Sequence, residues 1–269
     1  VFQYCQACFE GMKAYYTKDG HIVCFRPDMN AKRMADSAAR LEMPPFPVDK
    51  FVDAVKQVVA ANADFVPPYG TGASLYIRPF MIGTNSVIGV KPATEFEFRI
   101  FCTPVGPYFK GGAKPIAIKV SDYDRAAPHG TGNIKAGLNY AMSLYNIVDA
   151  HEKGYDENVY VDSATRTHIE ETGGANLIFI TKDGKLVTPM LTGSILPGVT
   201  RRSCIQLFKD WGMPIEERLI SVDELFEAAA SGKLEEAMCV GTAAVICPIG
   251  ELTYGDKVYT INNFQTGPL

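Results

Sequence analysis

Apolar positions along this 269-residue chain follow two spacings, and the spacing switches at clusters of glycine and proline. Extended patterns, many with alternating apolar side chains, predict strands at residues 1–16, 21–25, 73–83, 95–103, 115–120, 157–162, 165–170 and 236–240, and 177–181 is a short apolar run. Apolar residues three and four apart predict helices at 26–41, 48–65, 138–153 and 222–232, and the turn at 196–202 leads into another that ends near Trp211. The first helix opens on Arg26-Pro27-Asp28, places Met29, Ala38 and Leu41 on one face, carries Arg33, and is stopped by Pro44, Pro45 and Pro47. The second turns Phe51, Val55, Val58 and Val59 inward. Lys18-Asp19-Gly20 and Lys182-Asp183-Gly184-Lys185 read as hairpin turns. Strands alternating with helices point to mixed α and β architecture. The Pro- and Gly-rich stretch 105–114 reads as a linker between a smaller unit, 1–104, and a larger one, 115–269.

Composition narrows the class. Hydrophobic residues make up 47% and charged residues 21%, the balance of a soluble globular protein. The net charge of −4 and the lack of a basic run argue against nucleic acid as a partner. No apolar stretch approaches the roughly 18 residues that cross a bilayer. Seven scattered cysteines suit reduced thiols in a cytoplasmic setting. Cys5 and Cys8 form a CxxC, but no second ligand pair accompanies it, so buried thiols are expected in place of a metal or redox site. The chain starts at Val1 and stops after Leu269, and it reads as a trimmed piece of a longer protein.

The chemistry centres on residues 130–140, G-T-G-N-I-K-A-G-L-N-Y. Gly130, Gly132 and Gly137 let the backbone approach a ligand, and Ile134 and Ala136 flank Lys135 with apolar surface, the setting an amine nucleophile needs. Alone, the loop suits a solvated surface lysine better than a reactive one. Other motifs are missing: Lys135 stands where the dinucleotide fingerprint wants glycine, and GxxxxGK[ST], GxSxG and HExxH are absent. Tyr76 and Arg78, two apart on a strand, leave on one face as a carboxylate clamp. Leu196-Pro197-Gly198-Val199-Thr200 delivers backbone N–H groups at a helix start, an anion site, and Gly241-Thr242-Ala243-Ala244 offers a second set. One lysine, the isolated Glu171, anion-binding turns and an arginine together fit pyridoxal phosphate: an imine-forming amine, a carboxylate for the ring nitrogen and a phosphate cup.

With these pieces in order, the chain resembles the branched-chain amino acid aminotransferases of the class IV pyridoxal-phosphate family over nearly its whole length. The resemblance is carried by F-E-G-M-K-A-Y at 9–15, Phe25-Arg26-Pro27 with Arg33-Met34, L-Y-I-R-P at 75–79, V-G-P-Y-F at 105–109, Lys135 through Tyr140, Glu171-Thr172-Gly173, L-P-G-V-T-R at 196–201 and Gly241-Thr242-Ala243. It implies a two-domain α+β / α/β fold like that of D-amino-acid aminotransferase, with a small N-terminal α/β domain and a larger, β-barrel-like C-terminal domain with helices. By the same resemblance, Lys135 forms the Schiff base with pyridoxal 5'-phosphate and shuttles the proton at the substrate Cα. Glu171 pairs with the pyridine nitrogen, Tyr140 with the phenolic oxygen, and Leu196 packs on the ring. Arg33, Val199, Thr200 and Thr242 hold the phosphate. Thr242, Ala243 and Tyr76 take the substrate α-carboxylate, Arg78 meets the distal carboxylate of glutamate, and Phe9, Tyr15 and Tyr108 line the aliphatic pocket. Tyr4, Ile88 and Val90 match positions that the family supplies from a neighbouring subunit, which implies a homodimer. The implied reaction moves an amino group from L-leucine, L-isoleucine or L-valine to 2-oxoglutarate, giving L-glutamate. Two rivals remain: another class IV enzyme, such as a D-amino-acid transaminase or aminodeoxychorismate lyase, and a non-catalytic binding module of the same fold.

Overall fold

The computed structural model describes residues 2–106 and 114–269. The chain packs as two compact units, Val1–Tyr108 with Ile134–Leu138, and Phe109–Asn133 with Asn139–Leu269. The segment around Lys135 therefore packs with the first unit, although it lies far along the chain. Most of the linker expected at 105–114, including Tyr108, lies outside the described residues.

The first unit holds β1 (Ala7–Phe9), β2 (Met12–Tyr16), β3 (Ile22–Cys24), α1 (Pro27–Arg40), α2 (Val48–Ala61), β4 (Ser74–Gly83) and β5 (Phe96–Val105). Its antiparallel sheet is built around β4, which pairs with β1, β2 and β5, while β3 extends β2. Side chains alternate along β4 as the pleat requires. Leu75, Ile77 and Met81 enter a core with Ala31, Met34 and Ala38 of α1 and Phe51, Val55 and Val59 of α2. Tyr76 and Arg78 leave on the other face, where Lys13 of β2 sits across from Tyr76. Pro27 opens α1 at a position that has no need of its missing N–H.

Three expectations in this unit are corrected. The extended run at 1–16 is a 3-10 turn, Phe2–Tyr4, followed by two strands separated at Glu10-Gly11, because the Glu10 side chain turns into the interior. Cys5 is exposed in the turn before β1 and only Cys8 is buried, so the CxxC does not lie on one strand. The second helix also stops at Ala61, with a separate 3-10 turn at Ala63–Phe65.

The second unit comprises β6 (Ile116–Val120), α3 (Gly137–Glu152), β7 (Glu157–Val161), β8 (Ile169–Thr172), β9 (Asn176–Thr181), β10 (Leu186–Pro189), α4 (Val199–Asp210), β11 (Ile215–Arg218), α5 (Val222–Ala230), β12 (Leu234–Gly241), β13 (Val245–Tyr254) and β14 (Lys257–Thr260). They form one sheet in the order β11-β10-β9-β12-β13-β6-β7-β8, with β14 on β13. Most neighbours are antiparallel. β6 pairs parallel with both β13 and β7, and β10 pairs parallel with β11; the chain passes from β6 to β7 through α3 and from β10 to β11 through α4, as parallel strands require a crossover. Residues 177–180 are apolar throughout because both faces of β9 are covered. Leu177 and Phe179 join the core beneath α5, and Ile178 and Ile180 pack with Cys204 and Phe208 of α4.

The strand expected at 165–170 begins instead at Ile169. The Asp162 carboxylate accepts the backbone N–H groups of Thr165 (2.7 Å), Thr167 (2.9 Å) and His168 (2.7 Å), which folds 163–168 into a turn. Sequence patterning missed β11, β13 and β14, and marked β10 only by the hairpin turn before it. Pro248 and Gly250 interrupt the pattern of β13, which accommodates them with a register shift around Gly250.

Candidate active site

In the first unit, Lys135 is half-buried, and its neighbours Ile134 and Ala136 are buried. Its peptide group is held on both sides. The Lys135 N–H donates to the Ser37 hydroxyl (3.0 Å), and its carbonyl accepts the Phe9 N–H (3.0 Å). The amine lies 4.9 Å from the centroid of the Phe9 ring, and the guanidinium carbon of Arg78 lies 4.6 Å from the same centroid. Arg78 Nη2 donates to the Tyr76 hydroxyl (2.6 Å). One ring thus carries two cations with a phenol beside them. The Nε of Arg78 is buried without an acceptor among the described residues, a donor that an incoming anion would satisfy.

Arg33 on α1 is buried, and its fork grips Glu10: Nε donates to Oε1 (2.8 Å) and Nη2 to Oε2 (2.7 Å). Asn30 Nδ2 adds a bond to Oε2 (2.8 Å). The pair fixes the Arg33 head, since a bidentate fork allows little rotation. Tyr15 lies partly buried on β2, and burial pushes its phenol pKa up. The Tyr4 hydroxyl donates to the carbonyl of Ile88 (2.6 Å). Ile88 and Val90 are 90% and 86% exposed. Tyr108 lies outside the described residues.

In the second unit, Glu171 is at the end of β8 and 2% exposed. Arg125, itself 3% exposed, places Nη1 2.8 Å from Glu171 Oε1. The Leu196 N–H donates to Oε1 (2.9 Å) and Asn176 Nδ2 to Oε2 (3.0 Å), and Asn176 also donates to the Leu196 carbonyl (2.9 Å). These donors fit a charged carboxylate. The same contacts tie Leu196 and the approach to α4 to the end of β8. Gly198 precedes α4 with no side-chain cap, and a Cβ there would run into Asn176 Oδ1. Val199 and Thr200 occupy the first helical positions. Thr242 and Ala243 follow β12 in the turn to β13, and Gly241 lies against Gly174 and Ala175, next to the start of β9. Tyr140 is on the first turn of α3.

The structure thus assembles Phe9, Tyr76, Arg78 and Lys135 in one unit, and Glu171, Leu196, Val199 and Thr200 in the other. Ser37, Glu10, Asn30, Arg125 and Asn176 were missed by sequence reasoning. Each is a polar residue inside a patterned element or loop, and only its burial marks it.

The donor set suits the cofactor expected from the sequence. It offers an amine among apolar neighbours, a buried carboxylate fixed by an arginine, and an uncapped helix start with hydroxyls. Residues 7–252 match the family model for amino-transferase class IV. The chain is 45% identical over 273 residues to the branched-chain-amino-acid aminotransferase of Mycolicibacterium smegmatis, covering 100% of this chain and 74% of that protein. It superposes on the branched-chain aminotransferase of Thermoproteus uzoniensis, solved with norvaline, with a TM-score of 0.83 at 29% identity, covering 99% of this chain and 82% of that one. It also superposes on the branched-chain amino acid aminotransferase from Escherichia coli, with a TM-score of 0.80 at 29% identity, covering 99% of this chain and 82% of that one. By sequence and by fold, the chain belongs to the class IV amino-transferases, among their branched-chain-amino-acid aminotransferases.

Proposed function

We propose that this protein transfers the amino group of L-leucine, L-isoleucine or L-valine to 2-oxoglutarate, reversibly and by a ping-pong course, with pyridoxal 5'-phosphate as cofactor. The observation that carries this reading is the group around Phe9, where an amine, a guanidinium with an unsatisfied buried N–H and a phenol surround one hydrophobic ring. Such a site accepts an aliphatic side chain against the ring and a glutamate carboxylate against Arg78. Pyridoxal phosphate supplies an aldehyde that condenses with amines and a protonated ring that withdraws electrons.

The chain's own residues do the rest. Lys135 Nζ would hold the cofactor through its aldehyde and would be the base that moves the proton at the substrate Cα. Glu171, fixed by Arg125, Asn176 and the Leu196 N–H, would hold the pyridine nitrogen and favour its protonated form. Tyr140 would hold the phenolic oxygen, and Leu196 would pack on the ring. Arg33, oriented by Glu10, acts with Val199, Thr200 and Thr242 on the phosphate. Tyr76, Thr242 and Ala243 take the α-carboxylate, Arg78 the distal carboxylate, and Phe9, Tyr15 and Tyr108 the aliphatic chain. Tyr4, Ile88 and Val90 serve the site of a second copy in a homodimer. The seven free cysteines suit a reducing cytoplasm. No helix among the described residues is long and apolar enough to cross a membrane.

Adding pyridoxal phosphate should produce a visible absorbance band that borohydride bleaches, with the label on Lys135, and L-leucine should be turned over faster than D-alanine. The buried Lys13 is the rival amine in that labelling. Faster turnover of D-alanine, or a band unchanged in Lys135→Ala, overturns the reading.

A further inference from the structure

Ser37 opens the last turn of α1 and is 0% exposed. It is followed by Ala38 and Ala39. In a helix interior a buried serine is costlier than alanine unless its hydroxyl is used. Its Oγ–H donates to the carbonyl of Arg33 one turn earlier (2.8 Å), a bond that helical serines often make to their own backbone. The second bond is not local. The same oxygen accepts the N–H of Lys135, 98 residues away (3.0 Å). On the other side of the Lys135 Cα, the carbonyl accepts the Phe9 N–H (3.0 Å), and Cys8 and Ala136 form an isolated antiparallel bridge. The lysine backbone is thereby clamped from α1 and from β1. Because both peptide groups that flank the Cα are held, the direction of the side chain is set before any ligand arrives.

We infer that Ser37 is a positioning residue for Lys135, its one hydroxyl coupling the backbone at Arg33 to the backbone of the amine that does the chemistry. This rests on the reading of Lys135 as the cofactor-binding amine, and the test separates the two. Ser37→Ala removes both bonds, whereas Ser37→Cys fills the same space with a group that donates and accepts weakly. In cofactor-free protein, amide hydrogen exchange at Lys135 should speed up by about tenfold or more in both variants, with the amides of β4 unchanged. In the cofactor-loaded enzyme both should lose about tenfold in kcat for L-leucine with KM nearly constant. The pH at which the bound cofactor's visible band titrates should also shift. If Ser37→Cys restores wild-type exchange and kcat, the serine only fills space and the inference fails. Unchanged exchange at Lys135 in Ser37→Ala, with the wild type forming its reducible band, overturns the inference alone. A wild type that forms no such band overturns the functional reading, and with it the purpose assigned to the clamp.

Discussion

At the scale of single residues, the second unit buries more carboxylate than its cations can pair. Glu171 has Arg125 at 2.8 Å. Replacing Arg125 by Met strands that charge in the interior, which costs about 3–5 kcal/mol. The urea midpoint should fall accordingly, and adding Glu171→Gln should recover part of the loss. Glu157, on β7, has no such cation among the described residues. Burial raises its pKa from 4.5 to about 7, against the opposing N–H bonds from Asn158 and Gly173. The folded state therefore holds a proton that the unfolded chain releases above pH 4.5. Stability contributed by the protonated form is present below that pH and is lost as pH rises to about 7, amounting to about 3 kcal/mol. Urea melts of wild type and Glu157→Gln between pH 5 and 8 should show the wild type losing ground to the variant as pH rises. A slope shared by both proteins refutes the assignment. Sequence reasoning singled out Glu171 because the motif around it is distinctive. It passed over Glu157, Glu10 and Arg125, since nothing in a strand pattern says whether a charged position is covered.

At the scale of elements, the break between β1 and β2 matters more than either strand. It turns Glu10 inward to meet Arg33 and brings Gly11 against the Tyr76 hydroxyl. A Cβ at Gly11 would occupy the place of that hydroxyl. Gly11→Ala should therefore displace Tyr76 and raise KM for L-leucine by about tenfold or more, with the affinity for pyridoxal phosphate unchanged. Equal loss in both affinities would place the damage elsewhere. The alternation that put Tyr76 and Arg78 on one face of β4 was legible, because a strand has period two whatever surrounds it. The break at Glu10-Gly11 was not, because a buried ion pair formed with α1 causes it. The late start of β8 has a similar origin in the Asp162 side chain, whose bonds compete with the strand.

At the scale of the whole molecule, Ile88 and Val90 are large apolar side chains left 90% and 86% exposed, which is unusual for two residues so close together. If a second copy uses this loop, Ile88→Asp should raise KM for L-leucine and weaken a dimer seen by sedimentation, while leaving the melting of the subunit unchanged. A substitution neutral in all three would remove the proposed dimer contact. The amino-acid sequence by itself determined the order of most strands and helices and the family, and it singled out the amine, the acid and the helix-start turn now proposed for the site. Those depend on local periodicity and on motifs of a few adjacent residues. Only the tertiary structure decided that the Lys135 segment packs with the N-terminal unit, that Ser37 and Phe9 clamp its backbone, and that Arg33 and Glu171 are each fixed by a buried ion-pair partner. Such contacts join Lys135 to Ser37, 98 positions away, and to Phe9, farther still along the chain, and no local pattern encodes which buried polar groups meet once the chain has folded.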